Sequence, residues 1–423
     1  MAKRTGRARA LFLGRSLAPS HPRTLLLILP ALLALVFAPP PARARGEDPL
    51  PPVPPSSGQA IAIASGQTSA PGQAQTSSGQ AAAPAPETKK SFSGFPILMY
   101  DSDIGFGYGG KVKFVNYFRR RESLDLILFN STKGERWYVF TFSIPDIEIR
   151  QGTRYSLSFD LKAEYDKYVT YNFYGIGPDS VKADVTSASY LMEELGLTFG
   201  HGFSPVFIIE GAYILRNYKT FNVEPDRPYS GLLEAEGEKF SPYLSLTLRY
   251  DTSNSQIHPT RGLRFLFEND FAGQAVGNKT GKYYRMTLDL RSYTRLFFPK
   301  AVLAVRGLVQ YVSGPNIPLW ELSTLGGGST MTAMRGYALN RFMDNGKFLA
   351  AMEYRFPIWK RIGGNAFAES GVVWPSWSAI SFRKVAFDAG WGLRYYLANF
   401  VARFDMGFSR EGTGIYFNFG HLF

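Results

Sequence analysis

The 423-residue chain carries 47 Lys and Arg against 34 Asp and Glu, a formal +13, and no cysteine. The missing thiols exclude disulfides, zinc–thiolate sites and a cysteine nucleophile. The basic balance does not argue for a nucleic-acid partner, because seven of the basic residues precede Ala44 and without them the charge falls to about +6.

Residues 1–44 read as a secretory signal peptide. Lys3, Arg4, Arg7, Arg9, Arg15 and Arg23 precede an apolar run from Leu25 to Ala38, broken by Pro30, and Ala42-Arg43-Ala44 supplies small residues at the cleavage spacing. As a helix that run spans about 21 Å, short of a ~30 Å hydrocarbon core, which favours a cleaved peptide over a retained anchor. Residues 45–90 are rich in Pro, Ala, Gln and Ser and nearly free of aromatics. Such a segment buries too little apolar surface to offset its ordering entropy and reads as a disordered linker.

Composition changes at Phe92, and alternation with a period of two dominates from there to Phe423. Tyr155, Leu157, Phe159 and Leu161 share one face of a strand, with Ser156, Ser158, Asp160 and Lys162 on the other. Sixteen candidate strands follow in order: 95–100, 104–116, 123–130, 136–146, 152–164, 187–201, 205–219, 239–250, 261–269, 281–295, 300–313, 346–356, 363–372, 386–396, 400–409 and 413–423. Connections after even-numbered strands are mostly short, with 251–260 the exception. Five after odd-numbered strands are long: 165–186, 220–238, 270–280, 314–345 and 373–385. An even count with short turns at one end and long loops at the other predicts an all-β fold, a transmembrane antiparallel β-barrel over 91–423. A closed barrel leaves no backbone group unpaired in hydrocarbon. The competing architecture is a soluble sandwich. Strands longer than the usual ~5–6 residues and aromatics at strand ends, such as Phe297-Phe298 and Tyr395-Tyr396, favour the membrane barrel.

With the apolar face outward, the polar face lines the lumen. The twelfth strand then places Glu353 and Arg355 inward and Met352, Tyr354 and Phe356 outward. The thirteenth groups Phe367, Glu369 and Gly371. The fourteenth groups Asp388, Gly390, Gly392 and Arg394, and the fifteenth Arg403, Asp405 and Gly407. Glycines remove bulk from that wall and permit another backbone to approach. The connection 314–345 exceeds the ~12–15 residues beyond which loops are uncommon and usually functional. It carries Met334-Arg335-Gly336-Tyr337. Arg335 offers paired hydrogen bonds to a luminal carboxylate, Gly336 suits a tight turn, and Tyr337 suits packing on the glycine floor. Spacing alone leaves Arg335 equally compatible with a solvated loop charge. In the last strand Ile415, Phe417, Phe419, His421 and Phe423 alternate onto the expected outward face.

These motifs together resemble the Omp85 superfamily, in particular its BamA/TamA-like bacterial surface-antigen (D15) barrels. Met334-Arg335-Gly336-Tyr337 is similar to the family's (V/I)-R-G-(F/Y) motif on the sixth extracellular loop, and Phe367-Ala368-Glu369-Ser370-Gly371 is similar to F-x-D-x-G with Glu369 in place of Asp. Gly390-Trp391-Gly392-Leu393-Arg394 resembles G-x-G-x-R, and Phe423 resembles the terminal recognition signal for outer-membrane insertion. Tyr171 to Ser180 and the turn Pro259-Thr260-Arg261-Gly262 resemble segments of short surface-antigen members. The resemblance implies a Gram-negative outer-membrane location, a long inward-folded extracellular loop, and Arg335, Gly336 and Tyr337 as a loop-to-lumen motif. Glu369, Glu353, Asp388, Asp405 and Arg394 are its luminal partners. Implied binding partners are outer-membrane lipid and lipopolysaccharide, and client β-barrel proteins. Family assembly factors carry POTRA domains before the barrel; here 45–90 is too short and polar for one.

Two functions follow as expectations: aid to outer-membrane protein insertion or translocation by lateral strand pairing, or a passive or plugged pore or structural surface protein with no assembly activity. An enzyme is not expected. His201, His258 and His421 lie near turns or the terminus and His21 in the signal segment, which gives neither a Ser-His-acid set nor a metal site. No cofactor is expected.

Overall fold

The computed structural model describes residues 89–397 and 400–423. The expected signal peptide and most of the expected linker lie outside them. Sixteen antiparallel strands form the barrel among the described residues: β1 (Ser91–Asp101), β2 (Gly105–Val115), β3 (Ser123–Ser131), β4 (Arg136–Ile144), β5 (Tyr155–Phe173), β6 (Thr186–Gly202), β7 (Phe207–Phe221), β8 (Tyr243–Asp251), β9 (Gly262–Ala272), β10 (Tyr283–Arg295), β11 (Val302–Ser313), β12 (Gly346–Trp359), β13 (Ile362–Trp374), β14 (Ala386–Tyr396), β15 (Val401–Ser409) and β16 (Gly412–Phe419). Each pairs with its neighbours in sequence, and β16 returns to β1, which closes the barrel.

The alternation sorts side chains by charge. Along β14, Phe387, Trp391, Leu393 and Tyr395 are exposed, while Asp388 and Arg394 are buried. Along β12, Met352 is exposed and Lys347, Glu353 and Arg355 are buried. Charge sits inside and apolar surface outside. The long connection builds one apolar cluster of the interior: Leu325, Ala333, Met334, Tyr337 and Phe342 pack with Leu308, Leu349, Ala351 and Val373 of the wall.

Three expected boundaries differ. β5 runs to Phe173 rather than 164, so its connection is shorter than expected. The reason is a bulge between Tyr168 and Tyr171. It moves the buried positions from Glu164 and Asp166 to Tyr171 and Phe173, and such a change of phase hides a strand from a period-two reading. The expected strand 239–250 is two pieces, Glu238–Phe240 and β8, separated at Ser241-Pro242, where proline has no N–H to give.

The third difference is at the C-terminal end. β16 stops at Phe419, and Gly420, at φ 77°, turns the chain. Phe423 is therefore not on the outward face: Leu422 and Phe423 are buried. The Leu422 carbonyl accepts from Thr330 Oγ1 at 3.0 Å, and the Phe423 oxygen accepts from Arg355 Nη2 at 2.6 Å.

Closure is uneven. β1 and β2 pair along their whole lengths, whereas β1 meets β16 through Tyr100↔Phe417 and Asp101↔Tyr416. Ser102 extends this contact: its N–H donates to the Ile415 carbonyl (3.1 Å) and its Oγ accepts from the Ile415 N–H (2.7 Å). Amide hydrogen exchange at residues 94–99 should therefore be faster at the N–H groups facing β16 than at those facing β2. Equal protection on both sides would contradict this register.

Candidate functional site

Met334-Arg335-Gly336-Tyr337 is a single turn, with the Tyr337 N–H donating to the Met334 carbonyl at 3.0 Å. Glycines upstream hold it in place. The Met334 N–H donates to the Gly327 carbonyl (3.1 Å), and the Gly327 N–H donates to the Tyr337 carbonyl (3.0 Å). Gly326 and Gly327 have φ of 125° and 85°, in the region that favours glycine.

The turn drives Arg335 into the charged wall. Its backbone N–H donates to Glu369 Oε2 at 2.7 Å and its Nε to Glu369 Oε1 at 2.9 Å. Nη1 donates to Glu353 Oε1 at 2.8 Å and to Asp405 Oδ2 at 2.9 Å. The guanidinium lies 3.4 Å from the centre of the Phe367 ring. All four charged side chains are fully buried. Three strands thus supply one acid each, β12, β13 and β15, and β13 adds an aromatic face for the cation.

Neighbouring arginines share the same acids. Arg355 Nε donates to Glu353 Oε2 (2.8 Å) and Arg394 Nη1 to Asp405 Oδ1 (2.6 Å), while Arg403 Nε lies 3.5 Å from Asp405 Oδ2. Asp388 does not pair with Arg335. It accepts from the Gly336 N–H at 2.8 Å and stands across from Glu369 in the sheet. Desolvating one charge costs several kcal/mol, and only close, multiply hydrogen-bonded partners offset it.

Glycine acts here by allowing contact rather than by bending the chain. Gly336 is not in the left-handed region. A Cβ on it would sit 2.8 Å from the Asp388 Cβ and from the Phe408 backbone. A Cβ on Gly407 would meet the Arg335 carbonyl carbon at 2.5 Å, and one on Gly414 the Arg335 oxygen at 2.1 Å. The glycine floor therefore receives the backbone of Arg335, not the ring of Tyr337. That ring packs against Phe342, with centroids 5.2 Å apart, and its hydroxyl donates to the Phe387 carbonyl at 3.2 Å.

Two further anchors of the same connection carry no motif and escaped the sequence reading. Glu321 accepts from Arg285 Nη1 (2.5 Å) and Tyr218 (3.1 Å). Arg341 pairs with Glu411 through Nε (2.6 Å) and donates to Ser180 Oγ through Nη1 (2.8 Å). Isolated charges in a long loop reveal their partners only once β7, β10 and the β15–β16 turn are placed.

The histidines are less scattered than their sequence positions suggest. His258 Nδ1 and His421 Nε2 are 3.0 Å apart. Burial, helped by Arg355 and Arg295, pushes the His258 imidazole down to about 4. No group of three or more His, Cys, Asp or Glu is arranged to hold a metal among the described residues.

Removing the guanidinium takes from Glu369 its ion pair and from Glu353 and Asp405 one partner each, so Arg335→Ala should destabilise the folded barrel by about 3–5 kcal/mol. Gly414→Ala, which forces the Arg335 carbonyl away, should cost about 1–3 kcal/mol. Urea midpoints read by heat-modifiable gel mobility test both, and an unchanged midpoint for Arg335→Ala contradicts the assigned contacts. The neutral imidazole is the folded form of His258. Its contribution to stability is therefore full above the unfolded value near 6.5 and is lost as pH falls toward about 4. An NMR titration of His258 should have its midpoint well below 6.5.

Comparison with known proteins gives the family. The sequence matches the Omp85 superfamily domain over residues 116–423. No curated protein matches the chain. Among solved structures, the fold is similar to BamA from Haemophilus ducreyi lacking POTRA domains 1–3, at 15% identity and a TM-score of 0.59, over 78% of this chain and 70% of that one. It is also similar to CdiB from Escherichia coli, at 10% identity and a TM-score of 0.56, over 80% and 63%. CdiB from Acinetobacter baumannii follows at 13% and 0.50, over 78% and 59%, so the chain spans less than two thirds of either CdiB. With sixteen strands closed on themselves and the superfamily domain covering most of its length, this chain belongs to the Omp85 superfamily, a closed β-barrel typical of Gram-negative outer-membrane proteins.

Proposed function

We propose that the barrel spans the outer membrane and assists insertion or translocation of other outer-membrane proteins by opening between β1 and β16. The observation that carries this reading is the short β1–β16 register of Tyr100↔Phe417 and Asp101↔Tyr416. Along residues 94–99 of β1 the edge toward β16 has no partner strand among the described residues, and an unpaired edge is a template for another strand. A client hairpin would add to it by β-augmentation, its main chain supplying the hydrogen bonds. Lipid and lipopolysaccharide would cover the apolar outer face, and client β-barrel proteins would be the transient partners.

In this reading 314–345 is an extracellular loop folded into the lumen, with Arg335, Gly336 and Tyr337 bracing β12 to β15 against Glu353, Glu369, Asp405, Asp388 and, through Asp405, Arg394. The wall on the β16 side of the seam then stays rigid while β1 separates. Phe423 is the assembly signal of the nascent chain and is folded inward once the barrel is complete. The work is mechanical, with no bond made or broken.

The chain has no native thiol, and residues directly opposite across a ladder have Cα atoms about 4.5–5.5 Å apart, within disulfide reach. Tyr100→Cys with Phe417→Cys should therefore crosslink. In proteoliposomes the oxidised barrel should fail to insert an added outer-membrane client, and reductant should restore insertion. Equal insertion by locked and reduced barrels would remove the seam from the mechanism. No insertion by either would leave the plugged pore as the better reading.

A further inference from the structure

The long connection does not fill the barrel. A cavity of about 370 Å³ remains among β1, β4, β5, β6 and the connection, within the ~300–1,000 Å³ typical of small-ligand sites. Asp101, Glu135 and Asp166 line it. These acids differ from Glu353, Glu369 and Asp405: no ion pair among the described residues includes any of the three, whereas Arg264, Arg291 and Arg403 on the same cavity are engaged with Asp251, Asp289 and Asp405. Asp166 is 8% exposed and Glu135 is 9% exposed, and Asp166 Oδ1 and Glu135 Oε2 have no hydrogen-bond partner. A buried polar atom left without a partner is costly.

The rest of the wall is aromatic. Tyr168, Tyr171, Tyr190 and Trp320 line the same space. Trp320 comes from the long connection, packs 4.7 Å from both Tyr171 and Tyr190, and is fixed by its Nε1 donating to Thr220 Oγ1 at 3.0 Å. Unpaired carboxylates beside electron-rich rings are complementary to a cation with an apolar body. The two orphaned oxygens are acceptors and call for N–H donors. A bare metal ion fits poorly, since no three ligands converge.

We propose that this cavity is a binding site for a primary alkylammonium, the amine end of a linear diamine or polyamine, with Glu135 and Asp166 accepting its N–H bonds and Tyr168, Tyr190 and Trp320 covering its methylenes. The site is complete in the closed barrel and does not depend on the seam opening. The second luminal cavity, of about 620 Å³, is a poorer candidate, because six of its acids, Asp160, Glu164, Glu194, Glu210, Asp251 and Asp270, are already paired with Arg or Lys and Glu268 alone has no ion pair among the described residues.

The test is calorimetric titration of the folded full-length protein in detergent with 1,5-diaminopentane, followed in parallel by tryptophan fluorescence. Saturable binding is expected, weakened by about tenfold or more, equivalent to ~1.4 kcal/mol, in Glu135→Gln/Asp166→Asn. Tetramethylammonium, a cation without N–H donors, should compete at least about tenfold less well by the same measure. Absence of saturable binding to the wild type, or equal affinity in the folded double variant, overturns the proposal. If the double variant does not fold, the wild-type competition decides, and tetramethylammonium displacing the diamine as effectively as the diamine displaces itself overturns the hydrogen-bonded site.

Discussion

One buried guanidinium governs the interior. Arg335 has no contact with solvent, and an isolated charge in that position would cost far more than any other contact of the connection returns. It is tolerated because three strands deliver a carboxylate to it at 2.8–2.9 Å and Phe367 covers its face. The dependence is mutual. Glu369 has Arg335 as its one ion-pair partner among the described residues, and Glu353 and Asp405 divide theirs between Arg335 and neighbouring arginines, so the seat of the connection and the register of β12 to β15 specify each other. A slip of one residue in any of these strands would send its acid to the outside of the barrel.

Around that centre the work is divided between atoms that are present and atoms that are missing. Gly407 and Gly414 have no Cβ where the Arg335 carbonyl passes, so the backbone of the turn lies directly on β15 and β16. Ser409 Oγ adds a 2.6 Å hydrogen bond to the Gly336 carbonyl. The Phe423 oxygen accepts from Arg355 Nη2, and Arg355 Nε is held by Glu353. The chain end thus joins the same charge network from below. β1 gives that network no ion pair among the described residues and is fastened to β16 by a short register and by Ser102. Rigidity and looseness are set by which strands contribute to the charged cluster.

Much of this was legible in sequence because its signals were periodic. Alternation gave sixteen strands and sorted Glu353, Arg355, Asp388, Arg394, Arg403 and Asp405 onto one face, since a period of two needs no knowledge of partners. It failed where the period changes phase, at the bulge after Tyr168, and where the chain turns at Gly420. It also misassigned two details of the turn. Gly336 serves close approach rather than a special dihedral, and Tyr337 packs on Phe342 rather than on glycine. Both depend on the third dimension, as do the anchors Glu321 and Arg341 and the approach of His258 to His421.

The sequence distances within the Arg335 cluster bear on how such a barrel is built. Arg335 reaches Glu353, Glu369 and Asp405 across 18, 34 and 70 residues, whereas Ser102 reaches Ile415 across 313. Loop-closure entropy grows with separation and must be met before a contact returns anything, so near contacts form sooner. The C-terminal third, with its turn seated on the glycine floor, has the means to organise as a folding unit while the N-terminal strands are still unpaired. Joining β1 to β16 is then the last and least secured event, and an incomplete barrel keeps an unpaired strand edge until the chain that made it has returned to its beginning.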